Sequence, residues 1–119
     1  MGKKILVADD DPGILDAIEA MLHLKGYDVT TTLDGDTVLE IAEDNMPDLF
    51  LLDIWMPGLS GVEICTELKS NPKTAHIPVI LISASLNVGK AAAEAKADNY
   101  LAKPFEMREL TKKIELLLQ

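Results

Sequence analysis

The residues best placed to do chemistry stand at the ends of short apolar runs. Asp9, Asp10 and Asp11 follow KILVA, Asp53 closes DLFLLD, Ser83 closes PVILIS, and Lys103 comes directly after NYLA. Adjacent carboxylates repel one another. At an effective dielectric of ~20 and a spacing of ~4 Å, each pair costs on the order of 4 kcal/mol. With no His or Cys beside them, these acids make a hard, all-oxygen donor set. It suits Mg²⁺, which takes a few carboxylates, keeps waters and is often completed by a phosphate; Mn²⁺ is the alternative ion. A lysine and a hydroxyl on the same edge suit the other oxygens of a phosphoryl group. An aspartate between metal and lysine is then a nucleophile for forming an aspartyl phosphate. Asp11 reads differently: it precedes Pro12, the favoured first residue of a helix, and is expected to cap that helix.

Only the right scaffold brings these side chains together, and the hydrophobic pattern describes one. Ile5–Ala8 reads as a strand, followed by a helix over Pro12–Lys25 with Leu15, Ile18, Met21 and Leu22 on one face, stopped by Gly26. Asp28–Thr32 is a more polar strand, expected at a sheet edge. Asp34 or Asp36 caps a second helix carrying Val38, Leu39, Ile41 and Ala42, which ends before Pro47. Residues 48–53 and 78–83 are unbroken apolar runs, as in strands covered on both faces. A helix with Val62, Ile64, Cys65 and Leu68 separates them. An Ala-rich helix over residues 86–97, a short strand at 99–102 and a closing helix over Phe105–Leu118 complete the chain.

Five alternating strands and helices imply a parallel sheet with helices on both faces, in which ligands bind at the carboxyl ends of the strands. That rule puts Asp9, Asp10, Asp53, Ser83 and Lys103 on one edge of one sheet.

Bulk properties agree. The 119 residues suit a single domain with one contiguous core, and 48% hydrophobic with 26% charged residues is ordinary for a globular protein. A net charge of −9 argues against direct nucleic-acid binding, which needs clustered Lys and Arg. Cys65 is the only cysteine, so no internal disulfide forms and a reducing cytoplasm is expected. No secretory signal is visible, and no apolar stretch approaches membrane-spanning length.

The motifs ILVADDDPGIL (5–15), PDLFLLDIWMPGLSGVE (47–63), PVILISA (78–84) and DNYLAKPF (98–105) closely resemble the receiver domain of bacterial two-component response regulators, of the chemotaxis-regulator-like kind. The resemblance runs from the first strand to the last helix. It implies a doubly wound (βα)5, flavodoxin-like three-layer sandwich with strand order 2-1-3-4-5. Residues 1–119 are expected to be a single receiver domain without an output domain. Asp53 looks like the phosphoacceptor. Asp10 looks like a direct Mg²⁺ ligand, and Asp9 acts at least partly through metal-bound water; the backbone carbonyl of Trp55 completes the protein's share. Ser83 and Lys103 match the family's phosphoryl-contacting residues, Tyr100 its aromatic switch, and Lys103–Pro104 its cis peptide. Trp55 and Ser85 flank the site and are expected to modulate hydrolysis of the acyl phosphate. The implied donor is the phosphohistidine of a sensor histidine kinase or histidine phosphotransfer protein. The implied output is a changed surface of helix four, strand five and helix five, read by a downstream protein target, an output domain or a phosphorylation-linked homodimer.

Some residues depart from that pattern or stand outside it. Lys96 occupies the place of a common Gly and is expected to alter the turn before the fifth strand. His23 and His76 read as surface residues, and Cys65 as a small core residue. Three rival functions fit less well. A flavin mononucleotide carrier needs a Ser/Thr/Gly-rich phosphate loop where this chain has DDDPG, and a haloacid-dehalogenase-type hydrolase needs a second acid where it has Trp55. A phosphorylation-independent interaction module on the same fold usually lacks an acid or the lysine, and here all are present.

Overall fold

The computed structural model describes residues 2–119. Five strands, β1 (Lys4–Ala8), β2 (Asp28–Thr32), β3 (Leu49–Asp53), β4 (Val79–Ser83) and β5 (Asn99–Ala102), alternate with five helices. These are α1 (Pro12–Leu24), α2 (Val38–Asp44), α3 (Gly61–Ser70), α4 (Val88–Ala95) and α5 (Met107–Leu117). The strands form one all-parallel sheet in the order β2-β1-β3-β4-β5, as the resemblance implied.

Strand periodicity divides the core into two halves. Leu6, Ala8, Phe50, Leu52, Val79 and Leu81 face one way, onto α2, α3 and α4 through Val38, Ile64, Leu68 and Ala92. Ile5, Val7, Leu49, Leu51, Ile80 and Ile82 face the other way, onto α1 and α5 through Leu15, Ile18, Leu22, Leu110 and Ile114. Every residue of β3 and β4 is buried, which explains their unbroken apolar character, whereas β2 at the sheet edge has no fully buried residue. Cys65 lies inside the first half, its thiol donating to the Ala95 carbonyl at 3.4 Å. His23 and His76 are exposed.

Local chemistry sets most boundaries. Asp11 caps α1, its carboxylate accepting the Gly13 and Ile14 N–H groups, and Gly26 at φ +90° ends the turn beyond. Ser60 and Glu63 form a reciprocal capping box on α3.

Three boundaries differ from expectation. The helix expected after Asp34 begins as a single 3-10 turn, Gly35–Thr37, and α2 itself has only seven residues. Asp34 caps that turn by accepting the Asp36 N–H, while the carboxylate of Asp36 reaches across to the Leu59 N–H, so tertiary contacts override helical continuity. Helix α4 is shorter than the Ala-rich pattern. Ser85 Oγ draws in the Asn87 N–H before its start, and Lys96 ends it in the left-handed region at φ 63°, the conformation a glycine would favour there. Helix α5 starts at Met107 rather than Phe105, because Glu106 is extended at φ −89° and ψ 143°, with its N–H donating to Glu109 Oε1 at 3.4 Å.

Candidate functional site

The carboxyl ends of β1 and β3 lie side by side and present their first polar residues to one cleft. The Asp9 N–H continues the ladder by donating to the Thr32 carbonyl at 3.2 Å, and the Ile54 N–H does so to Ile82 at 2.9 Å. The backbone at both acids is therefore fixed by sheet hydrogen bonds at or beside the residue. Asp9 and Asp53 are buried, at 0% and 4% exposure, and Asp10 is exposed. One carboxylate oxygen from each of the three lies within 4.8 Å of the others.

The Lys103 N–H donates to the Ser83 carbonyl at 2.9 Å, which anchors the lysine just past β5. Its ammonium donates to Asp53 Oδ2 at 3.1 Å and forms an ion pair with Asp9 Oδ2 at 3.0 Å. The pairing with Asp9 lacks hydrogen-bond direction, so Asp9 Oδ2 is buried without a hydrogen-bond partner. Asp9 Oδ1 accepts the Asp11 N–H at 2.9 Å and Asp53 Oδ1 accepts the Trp55 N–H at 3.3 Å. The peptide bond Lys103–Pro104 is cis.

One cation thus serves two buried acids with a third close by. Burial raises the Asp53 pKa above its ordinary value, and the neighbouring Asp9 carboxylate raises it further; Lys103 and the Trp55 N–H only partly oppose them. For Lys103, burial alone acts to lower the pKa, but Asp9 and Asp53 together outweigh it and the net shift is upward. The cleft carries more negative charge than its lysine can neutralise, which is the electrostatics of a cation-binding site.

The side chains of the other predicted residues surround this centre, and Trp55 and Ser83 touch it only through their backbones. Ser83 is fully buried at the end of β4, and its hydroxyl accepts the Ser85 N–H at 3.0 Å. Trp55 is 68% exposed and shares a shallow groove with Ser85, Asn87 and Val88. Tyr100 on β5 is 45% exposed, its ring lying beside Gly89 of α4 and the Lys113 ammonium 5.9 Å from its centroid. The sequence reading missed two positions. Asp36, expected only as a cap, holds the loop after β3. Lys69 donates to the Ala75 and Ile77 carbonyls and to Asp98, tying α3 to the entries of β4 and β5. A lysine in the apolar register of α3 was the only available signal for the second.

Comparison with known proteins agrees with this architecture. The family model for the response regulator receiver domain matches residues 5–115. The transcriptional regulatory protein PrrA of Mycobacterium tuberculosis is 39% identical over 116 residues, covering 98% of this chain and 50% of PrrA. The chain therefore spans about half the length of that relative. A CheY-like response regulator receiver domain protein from Methanospirillum hungatei JF-1 superposes with a TM-score of 0.90 at 31% identity, covering 99% of this chain and 94% of its own. The receiver domain of sensor histidine kinase PA1611 from Pseudomonas aeruginosa PAO1 gives a TM-score of 0.89 at 31% identity, over 99% of this chain and 98% of its own; that crystal structure holds a magnesium ion in the active-site cleft. No helix among the described residues is long and apolar enough to cross a membrane. By fold, by sequence and by the extent of the match, this chain belongs to the response regulator receiver domain family of two-component signalling systems.

Proposed function

We propose that residues 1–119 are one receiver domain that works as a phosphoacceptor switch, with Asp53 as the residue phosphorylated. The observation that carries this reading is the convergence of Asp9, Asp53 and Lys103 within 3.0–3.1 Å contacts, with the Asp10 carboxylate beside them. The donor set fits Mg²⁺: three carboxylates in one cleft, one with a buried oxygen that accepts no hydrogen bond. Asp9, Asp10, Asp53 and the Trp55 carbonyl would hold the ion, and Mn²⁺ fits the same donors. When bound, it supplies positive charge that offsets the acids and the phosphoryl oxygens.

The chain's own residues do the rest. Phosphoryl transfer is mostly positioning and charge neutralisation. Lys103 holds Asp53 in place and presents its ammonium to the incoming phosphoryl oxygens. An oxygen of Asp53 bonds to phosphorus in line as the phosphorus–nitrogen bond of a phosphohistidine breaks, and the electron pair leaves with the imidazole. The donor is a sensor histidine kinase or a histidine phosphotransfer protein. Ser83 then turns its hydroxyl from the Ser85 N–H towards the new oxygens, and Tyr100 moves inward into the space that opens. The surface of α4, β5 and α5 is thereby altered for a downstream protein target, an output domain or a second copy of the chain. Water attack on the acyl phosphate resets the switch, with Trp55 and Ser85 setting its rate from the rim. The family and the internal, disulfide-free chemistry favour action in the cytoplasm, without direct contact to nucleic acid or membrane.

Beryllofluoride, a phosphoryl mimic, tests the reading. With Mg²⁺ it should change the fluorescence of Trp55, the only tryptophan, and Asp53→Ala should abolish the response. A response that persists in Asp53→Ala contradicts the assignment.

A further inference from the structure

Resting on that reading, we propose that Asp36 is a positioning residue for the metal edge of the site, acting through the loop that follows β3. This loop carries Trp55, whose backbone carbonyl is a proposed ligand. It is tied at two points to the 3-10 turn beyond β2. The Gly35 N–H donates to the Pro57 carbonyl at 2.9 Å, and the Leu59 N–H donates to Asp36 Oδ1 at 3.0 Å. The partners of the second tie are 23 residues apart in sequence, so it is tertiary rather than a helix cap. Gly58 sits between the ties at φ +78°, and a Cβ there would lie 2.5 Å from the Asp36 carboxyl carbon. The carboxylate therefore fills the space against the loop backbone.

The same turn also braces the opposite side of the cleft. Thr32, at the end of β2, accepts the Asp9 N–H through its carbonyl at 3.2 Å. Its hydroxyl is hydrogen-bonded to the Thr37 hydroxyl at 2.6 Å, and Asp34 holds the Asp36 N–H at 2.6 Å. One short segment, 32–37, thus links the backbone of Asp9 to the loop holding Trp55. Those are two of the groups that must keep a fixed separation to share an ion. Mg²⁺ demands near-ideal geometry, so a loop free to drift raises the cost of binding it. Because the Gly35–Pro57 bond remains when Asp36 is truncated, the loop loosens without losing its register.

What matters is the acceptor oxygen rather than the charge, which gives a discriminating pair of variants. Asp36→Ala removes the acceptor, and Asp36→Asn keeps it. Mg²⁺ is titrated against Trp55 fluorescence, and amide exchange at Leu59 is followed in metal-free protein. Asp36→Ala is expected to weaken Mg²⁺ binding about 3- to 10-fold and to speed Leu59 exchange, while Asp36→Asn stays within about twofold of wild type in both. The magnitude lies below that of buried outer ligands because Asp36 is exposed. If Asp36→Ala binds Mg²⁺ as tightly as wild type, or if Asp36→Asn binds as weakly as Asp36→Ala, the proposal is overturned. Wild-type protein that neither responds to Mg²⁺ nor gains a phosphoryl group from acetyl phosphate overturns the underlying functional reading instead.

Discussion

Asp53→Asn should stabilise the metal-free protein, although it removes the residue on which the proposed function depends. The Asp53 side chain is only 6% exposed, so its charge is poorly screened. With carboxylate oxygens within 4.8 Å, the repulsion from Asp9 is about 3.5 kcal/mol at an effective dielectric of ~20. Attraction to Lys103 at 3.1 Å returns about 5 kcal/mol on the same scale. Burying the ion costs several kcal/mol more, so the sum disfavours the ionised form, in agreement with the raised pKa. The amide removes the repulsion and the charge burial while Lys103 keeps Asp9 at 3.0 Å.

A gain of about 1–3 kcal/mol at pH 7 follows, or roughly 4–12 °C in Tm for a domain of this size. The pH dependence has a definite sign. The folded-state pKa of Asp53 lies above its unfolded value, so the folded protein holds that proton more tightly. This contribution to stability is fully present below the unfolded pKa and is lost as pH rises through the folded one. The advantage of Asp53→Asn should therefore shrink on acidification. Added Mg²⁺ should stabilise wild type by about 1.4 kcal/mol at tenfold the Kd, raising its Tm, and should stabilise the variant by less. Thermal melts in chelator and in Mg²⁺, from pH 4 to 7, measure all of this. A variant less stable than wild type in chelator at pH 7 refutes the electrostatic reasoning.

Three further outcomes are expected. Trp55→Asn, or a substitution at Ser85, should change the lifetime of phosphorylated protein, measured by loss of the phosphoryl mass over time; unchanged lifetimes in both remove these residues from the hydrolytic step. Burial pushes the Cys65 thiol up to about 11, so alkylation by iodoacetamide at pH 8 should proceed only through opening of the fold, and reaction as fast as in denatured protein contradicts the packing. Lys96→Gly should stabilise the fold by about 0.5–1 kcal/mol in urea unfolding, because a left-handed residue with a Cβ costs about 1–2 kcal/mol, of which glycine's extra chain entropy cancels part.

The sheet and its functional edge were legible because both depend on local pattern. Buried parallel strands show as the apolar runs at 49–53 and 79–83, and the first polar residue after each run must fall at the strand's carboxyl end. Asp9, Asp53 and Lys103 could therefore be brought together from spacing alone. What stayed hidden depends on side chains reaching across the fold. Asp36 looks like any helix-capping acid until the Leu59 N–H is beside it, and Lys69 looks like a surface lysine until three acceptors surround it. The length of α4 was misjudged for a related reason: alanines favour helix at every position, but Ser85 and Lys96 end it through hydrogen bonds and a left-handed turn that composition does not encode.

The most direct measurement is the intact mass of the protein after incubation with acetyl phosphate and Mg²⁺. Wild type should gain the mass of one phosphoryl group, fragmentation should place it on Asp53, and both chelator and Asp53→Ala should prevent the gain. A gain that survives in Asp53→Ala, or wild type that takes up no phosphoryl group from acetyl phosphate or from a phosphohistidine donor, would contradict the assignment of Asp53 as the phosphoacceptor.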